Sequence, residues 1–263
     1  MNILFIGDIV GKVGRNVVSK MIDKLTSTYD IDFIIANGEN ITHGKGISED
    51  HLNDLLDMGV DVVTLGNHYA AKKDVFNFLD SYESLIRPLN VHKSVPGVGT
   101  NVFTCNGVKI RVTNLLGTVY MNMNLSNPFD ALEDVVNNDK ADIHIVDFHA
   151  EATGEKYALA HAFDGKVSAV LGTHTHIQTR DAQILPHGTA FISDVGMSGP
   201  YESILGVNIG DVVKRTWTGI NTVFNVKEDG KGLFGGVILT FDDVTHKCKK
   251  IEPIYKVLEV NEF

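Results

Sequence analysis

Val167-Ser168-Ala169-Val170-Leu171-Gly172-Thr173-His174-Thr175-His176 is an apolar run that ends in two imidazoles, and the rest of the chain can be read outward from it. The run has the length and side-chain type of a buried strand. Side chains at i and i+2 of an extended segment point the same way, roughly 6–7 Å apart at a rise of about 3.3 Å per residue. If the segment stays extended, His174 and His176 share one face at a spacing better suited to two ions than to one. Metals in two-metal hydrolytic sites lie about 3.5–4 Å apart, so each imidazole could bind a different ion of a pair. Carboxylates must then come from elsewhere in the chain.

They come from the ends of other apolar runs. Asp8 follows Ile3 to Ile6 and Gly7; Glu39 and Asn40 follow Phe33 to Ala36, Asn37 and Gly38; Asn67 and His68 follow Val60 to Leu65 and Gly66; His149 follows Ile143 to Phe148. In an open α/β sheet the carboxyl ends of the strands line the ligand crevice, so this pattern delivers polar groups to one edge. Glycines just before several of them allow tight turns and close backbone approach. Between the runs, Asn16 to Tyr29 carries Val17, Met21, Ile22 and Leu25 at helical spacing, and Ser48 is a candidate N-cap for a helix ending at Gly59. Lys72 to Tyr82 and Pro128 to Asn138 also read as helices. The pattern turns antiparallel at Val102 to Cys105 and Val108 to Val112, joined by Asn106-Gly107, which favours a type I′ hairpin turn. Gln183 to Leu185 with Ala190 to Ser193, and Gly236 to Phe241 with Lys250 to Val257, add later strands. The expectation is an α/β fold: a four-layer α/β/β/α sandwich of two mixed sheets flanked by helices, in a single domain over residues 1–263.

Composition narrows the setting. With 263 residues and 43% hydrophobic content the chain can build a large core. No apolar stretch approaches the roughly 20 residues that span a bilayer, and the opening Met1 to Gly7 lacks the basic start and cleavage site of a secretory signal. Only Cys105 and Cys248 are present, too few for a disulfide framework or a thiolate zinc site, which fits a cytoplasmic protein. The net charge of −10 argues against a protein that grips duplex DNA by its phosphates, although a local cationic site could still bind one phosphate.

Taken in order, Gly7-Asp8-Ile9-Val10-Gly11, Gly38-Glu39-Asn40, Gly66-Asn67-His68 and Gly172 to His176 resemble the calcineurin-like metallophosphoesterases, and more closely their YmdB-like branch. The likeness extends to His43-Gly44-Lys45-Gly46, Phe148 to Thr153 and Asp194 to Pro200, so it spans nearly the whole chain. The resemblance implies one ion held by Asp8, Glu39 and His176, and a second held by Glu39, Asn67, His149 and His174, with Glu39 bridging. The wider superfamily usually has a histidine two residues after the first aspartate, where this chain has Val10; Asn40 or water would complete that ion. It also implies iron or manganese, with zinc an alternative, and self-association as a dimer or tetramer. Two divalent ions against Asp8 and Glu39 leave a cationic site, about +1 with a bridging hydroxide, which attracts a phosphodiester.

The expected activity is phosphodiester hydrolysis, above all of 2′,3′-cyclic nucleotides, by attack of that bridging hydroxide. His68, beside a ligand, is the candidate to protonate the departing oxygen. Alternatives are a phosphomonoesterase, a nuclease acting on RNA ends, or a metal-stabilised nucleotide-sensing protein with incidental turnover. Asp147 shares a strand face with His149 and could orient an imidazole; Asp194 could do the same or simply serve a turn. The glycine-rich first loop matches neither a dinucleotide fingerprint nor a P-loop, and there is no serine-hydrolase elbow.

Overall fold

Alternation along the first strand sends its apolar side chains into two different cores. Leu4 and Ile6 pack with Val17, Met21, Leu52 and Leu55, whereas Ile3 and Phe5 pack with Ile110, Val112, Ile143 and Ile145. A strand that is apolar on both faces must be covered on both, here by helices on one side and a second sheet on the other. The computed structural model describes residues 1–259; the end of the expected domain, residues 260–263, lies outside it.

The first half of the chain runs β1 (Asn2–Ile6), β2 (Asp8–Ile9), α1 (Gly11–Tyr29), β3 (Phe33–Asn37), α2 (Glu49–Asp57), β4 (Val62–Thr64) and β5 (Leu85–Ile86). There follow β6 (Thr100–Cys105), β7 (Val108–Leu116), α3 (Pro128–Val136), β8 (Ile143–His149), α4 (Thr153–Ala162), β9 (Ala169–Thr173), β10 (Gln183–Ile184), β11 (Ala190–Ile192), β12 (Met197–Pro200), α5 (Ile209–Thr218), β13 (Gly232–Phe241) and β14 (Cys248–Leu258). One sheet has the order β2-β12-β13-β1-β3-β4-β5 with β14 beside β13; the other has the order β10-β11-β9-β8-β7-β6. Strands β1, β3, β4 and β5 are parallel, as are β7, β8 and β9, and the antiparallel members are added at β6, β10, β13 and β14. Helices α1 and α2 cover the outer face of the first sheet, and α3 and α4 pack Leu132, Leu159 and Ala160 against Val146, Phe148 and Val170 of the second. The four-layer α/β/β/α sandwich is therefore present.

Local chemistry explains most element ends. Ser48 accepts the His51 amide at the start of α2, as an N-cap should. Asn106 and Gly107 take φ of 51° and 82°, the two positive values a type I′ turn requires. Helix α1 begins at Gly11 and not near Asn16, because Val13 and Gly14 are already buried against β2 and β12. The helix expected over Lys72 to Tyr82 is reduced to a 3-10 turn at Lys73–Asn77; no side chain caps its start, and Val75, Phe78 and Leu79 reach the core from successive turns. Among the described residues, no helix is long and apolar enough to cross a membrane.

Candidate metal centre

The carboxyl ends of β1, β3, β4, β8 and β9 meet at one edge of the sandwich, and their glycines create the room. A Cβ on Gly66 would lie 2.3 Å from Glu39 Oε2 and 2.6 Å from the His149 ring. One on Gly172 would lie 1.9 Å from Ser193 O, and one on Gly7 1.9 Å from Gly196 O. Close approach, not an unusual backbone angle, is what these three positions demand.

Two groups of donor atoms result. In the first, His149 Nε2 is 2.8 Å from Asn67 Oδ1, 3.0 Å from His174 Nδ1 and 3.2 Å from Glu39 Oε1. One donor atom each of Glu39, His149 and His174 lies within 4.8 Å of the others. In the second, the Asn40 amide nitrogen is 3.1 Å from Glu39 Oε1, 3.2 Å from His176 Nε2 and 3.4 Å from Asp8 Oδ1. Glu39 belongs to both, and its other oxygen accepts the His68 amide at 2.8 Å. Asp8, Glu39, Asn40 and His149 are buried, while Asn67, His68, His174 and His176 are partly open. The structure thus brings together the side chains of Asp8, Glu39, Asn40, Asn67, His149, His174 and His176, and joins His68 to them through its backbone amide. Val10, where the wider superfamily has histidine, is buried and packs beneath Gly206.

The histidine pair reaches its two groups by a route the extended reading does not describe. Strand β9 stops at Thr173, and His174 and His176 take φ of 103° and 66°. A turn, not the pleat of a strand, sends His174 to His149 and His176 to Asp8 and Asn40. The Asp8 carboxylate holds this turn by accepting the His174 amide at 3.1 Å. Non-glycine residues avoid positive φ, so the strain needs support from outside the segment.

That support is a set of buried polar groups. Asp194 accepts Thr175 N at 3.0 Å, Thr175 Oγ1 at 2.8 Å and Gly196 N at 2.8 Å. Lys156 of α4, itself buried, donates to Thr173 O at 2.8 Å and to Asp194 Oδ2 at 2.9 Å. A glycine at 172 leaves room for its stem, since a Cβ there would meet Lys156 Cδ at 3.0 Å. Lys156 was not singled out from the sequence; a lysine in the middle of an otherwise ordinary helix carries no signal of burial. Asp147 acts one step removed from His149: its carboxylate accepts Thr173 Oγ1 at 2.7 Å, and Thr173 Oγ1 lies 2.9 Å from His149 Nδ1. Thr173 has one hydroxyl proton, and giving it to Asp147 makes its oxygen the acceptor for His149 Nδ1–H. Once a cation displaces the second ring proton, the Nε2 lone pair is the one that faces it. Asp147 also accepts Asn37 Nδ2 and Thr64 Oγ1, so it ties the two sheets together directly beneath the cluster. Outside this network, Glu151 lies 2.9 Å from His174 Nε2.

The donor set fits a cation. Oxygen and imidazole lone pairs converge with few protons to separate them, and the Asn40 amide shares two protons among three acceptors, taking the place a positive charge would fill. Turned over about its last bond, that amide would present Oδ1 instead. The electrostatics of the cluster make the same demand. Burial works against charging His149, but Glu39, Asp8 and Asp147 push it up to about 9. Burial works against charging Glu39 as well, yet His149 holds it down at about 2. Burial and the neighbouring His149 drive His174 down to about 3, so only one of the two imidazoles takes the proton. Burial lowers His68 below its ordinary value, with Glu39 opposing.

The sequence matches the model of a family described as YmdB-like protein over residues 4–254. It is 44% identical over 256 residues to the 2′,3′-cyclic-nucleotide 2′-phosphodiesterase of Bacillus subtilis (strain 168), covering 97% of this chain and 96% of that protein. Among solved structures, a phosphatase from Mycoplasma pneumoniae superposes with a TM-score of 0.93 at 40% identity, covering 98% of this chain and 94% of that one. A hypothetical protein from Thermus thermophilus gives a TM-score of 0.92 at 39% identity, over 98% and 99% of the two chains.

Proposed function

Because this chain belongs to the YmdB-like family, we propose that it is a phosphodiesterase with two metal ions, acting on 2′,3′-cyclic nucleotides. The observation that carries the proposal is the pair of donor groups sharing Glu39. Glu39, Asn67, His149 and His174 would hold one ion; Asp8, Glu39, His176 and the Oδ1 of a turned Asn40 would hold the other. Nitrogen and carboxylate donors without thiolate suit iron, manganese or zinc. Bound there, the ions supply Lewis-acid charge for the phosphoryl oxygens and a nucleophile at neutral pH.

The chain's own residues do the rest. Thr173 and Asp147 hold the His149 proton on Nδ1 and so keep Nε2 free to ligate. Asp194 and Lys156 keep the strained turn that parts His174 from His176. Glu39 anchors the His68 backbone, and the partly open His68 imidazole is near enough to feel Glu39, His149 and His176. A neutral His68 still carries one N–H for the departing oxygen, and a phosphate anion beside the ring favours its charged, proton-donating form. Free Cys105 and Cys248 agree with a reducing cytoplasm, and the exposed Ile209, Val213 and Trp217 of α5 agree with self-association.

Protein purified without chelator should contain close to two ions per chain and hydrolyse a 2′,3′-cyclic nucleotide faster than a phosphomonoester or short RNA. Chelation should abolish turnover, and His68→Ala should lower it about 10²–10⁴-fold with the metal content kept. Preference for the monoester, or one binding event without repeated turnover in metal-loaded protein, would refute the proposal.

A further inference from the structure

Three residues past Asn40, at His43, the chain enters the wall of a recess of about 520 Å³ that also includes Asn208, Phe224, Asn225 and Val226. It is built on the loops that carry the site. Val226 sits where a Cβ on Gly44 would come within 2.3 Å and one on Gly11 within 2.9 Å. Gly11 donates its amide to Asn40 O at 3.1 Å, so Val226 rests on the segments that follow Asp8 and Asn40. From the other side, His176 Nδ1 is 3.1 Å from Leu205 O, and the next carbonyl, Gly206 O, accepts Lys227 N at 3.0 Å. Segments that follow Asp8 and Asn40, and the one that meets His176, therefore also support the wall of the recess.

The lining has the chemistry of a base-binding site. Phe224 is 43% exposed, and the Arg215 guanidinium 4.9 Å from its ring centre steadies it. Asn208 heads α5 but makes no capping bond, although asparagine is among the best N-caps. Its backbone N–H donates to Asn225 O at 2.9 Å, but among the described residues its side-chain amide has no hydrogen-bond partner and so offers both a donor and an acceptor. Asn225 gives its amide protons to Asp211 and Val223, which leaves its Oδ1 as an acceptor. His43 is held at a φ of 53°, a left-handed conformation costly for a residue with a side chain, between Thr42 and Gly44 at the recess. Glu228 and Asp229 on the rim outnumber Lys227, which already pairs with Asp229, so a second phosphate is unfavourable there.

We propose that this recess receives the base of a nucleotide whose phosphate lies at the donor groups, stacked on Phe224 and hydrogen-bonded by Asn208 and Asn225; this rests on the phosphodiesterase reading and names its substrate contact. The test is calorimetric binding of adenosine 3′-monophosphate and of ribose 5-phosphate, which lacks a base, to manganese-loaded protein. The nucleotide should bind at least about tenfold more tightly, as one stacked base accounts for that factor. Phe224→Ala and Asn208→Ala should each shrink the gap to under about threefold, and Phe224→Tyr, which keeps a ring, should preserve it. Equal binding of the two probes by the unaltered protein, or a gap retained in both alanine variants, would overturn the proposal. Turnover of a cyclic nucleotide is measured separately; its absence would refute the hydrolase reading, while the binding ratio still decides the recess.

Discussion

Replacing Lys156 by methionine removes the cation from beneath the His-Thr-His turn without emptying the space its stem fills. Lys156 is 2% exposed, and its ammonium bridges Thr173 O and Asp194 Oδ2. The variant leaves a buried carboxylate that still accepts Thr175 and Gly196 but has lost its counter-charge. Removing one partner of a buried ion pair costs about 3–5 kcal/mol, which for a chain of this size lowers Tm by roughly 6–20 °C. Asp194→Asn should cost a similar amount by stranding the lysine. The double variant Lys156→Met/Asp194→Asn, with no charge left to bury, should be more stable than the sum of the single losses predicts. Thermal unfolding of the four proteins closes the cycle, and metal content reports on the turn: the single variants should hold less metal than the parent. Single losses below about 1 kcal/mol, or strict additivity in the double variant, would refute the idea that this pair holds the strained histidines.

Other consequences follow from the same geometry. Gly66→Ala pushes a methyl group against Glu39 and His149, so the chain should fold but lose metal and about 100-fold in turnover; full metal content with normal circular dichroism would contradict this. Glu151→Gln should weaken metal binding about 10–100-fold, read by competition with a chelating dye, because Glu151 orients His174 through Nε2; unchanged affinity would remove it from that role. At the far end of the sandwich, burial lowers His144 below 6.5 despite the opposing pull of Asp139, so the folded chain takes up this proton less readily than the unfolded one. The stability gained from a neutral His144 is present above about pH 6.5 and lost as pH falls below it. In His144→Gln the drop in urea midpoint between about pH 7.5 and pH 5.5 should therefore be shallower than in the parent, and an equal drop would argue against this linkage.

Much of the site can be read in one dimension because the fold concentrates chemistry at strand ends. Asp8, Glu39, Asn40, Asn67, His149, His174 and His176 each follow an apolar run, and the parallel strands carry those ends to one edge. Ser48 and Asn106-Gly107 were equally legible, since a cap and a type I′ turn depend on neighbours a few residues away. Lys72 to Tyr82 misleads because its apolar spacing suits a helix as well as a series of turns, and only packing chooses. Helices α4 and α5 left no clear reading: α4 hides Lys156, and α5 has no buried residue at all.

Local sequence by itself offered the metal-competent side chains and set them behind apolar runs, and it marked the cap at Ser48 and the turn at Asn106-Gly107, because side-chain type and short-range sterics settle those matters. Tertiary structure alone decided the left-handed turn at His174 and His176, the burial of Lys156 against Asp194, and the recess walled by segments near residues 43, 208 and 225. Each of these depends on contacts between residues far apart in the chain. The free energy that holds a strained backbone or a buried charge comes from partners that no local pattern names.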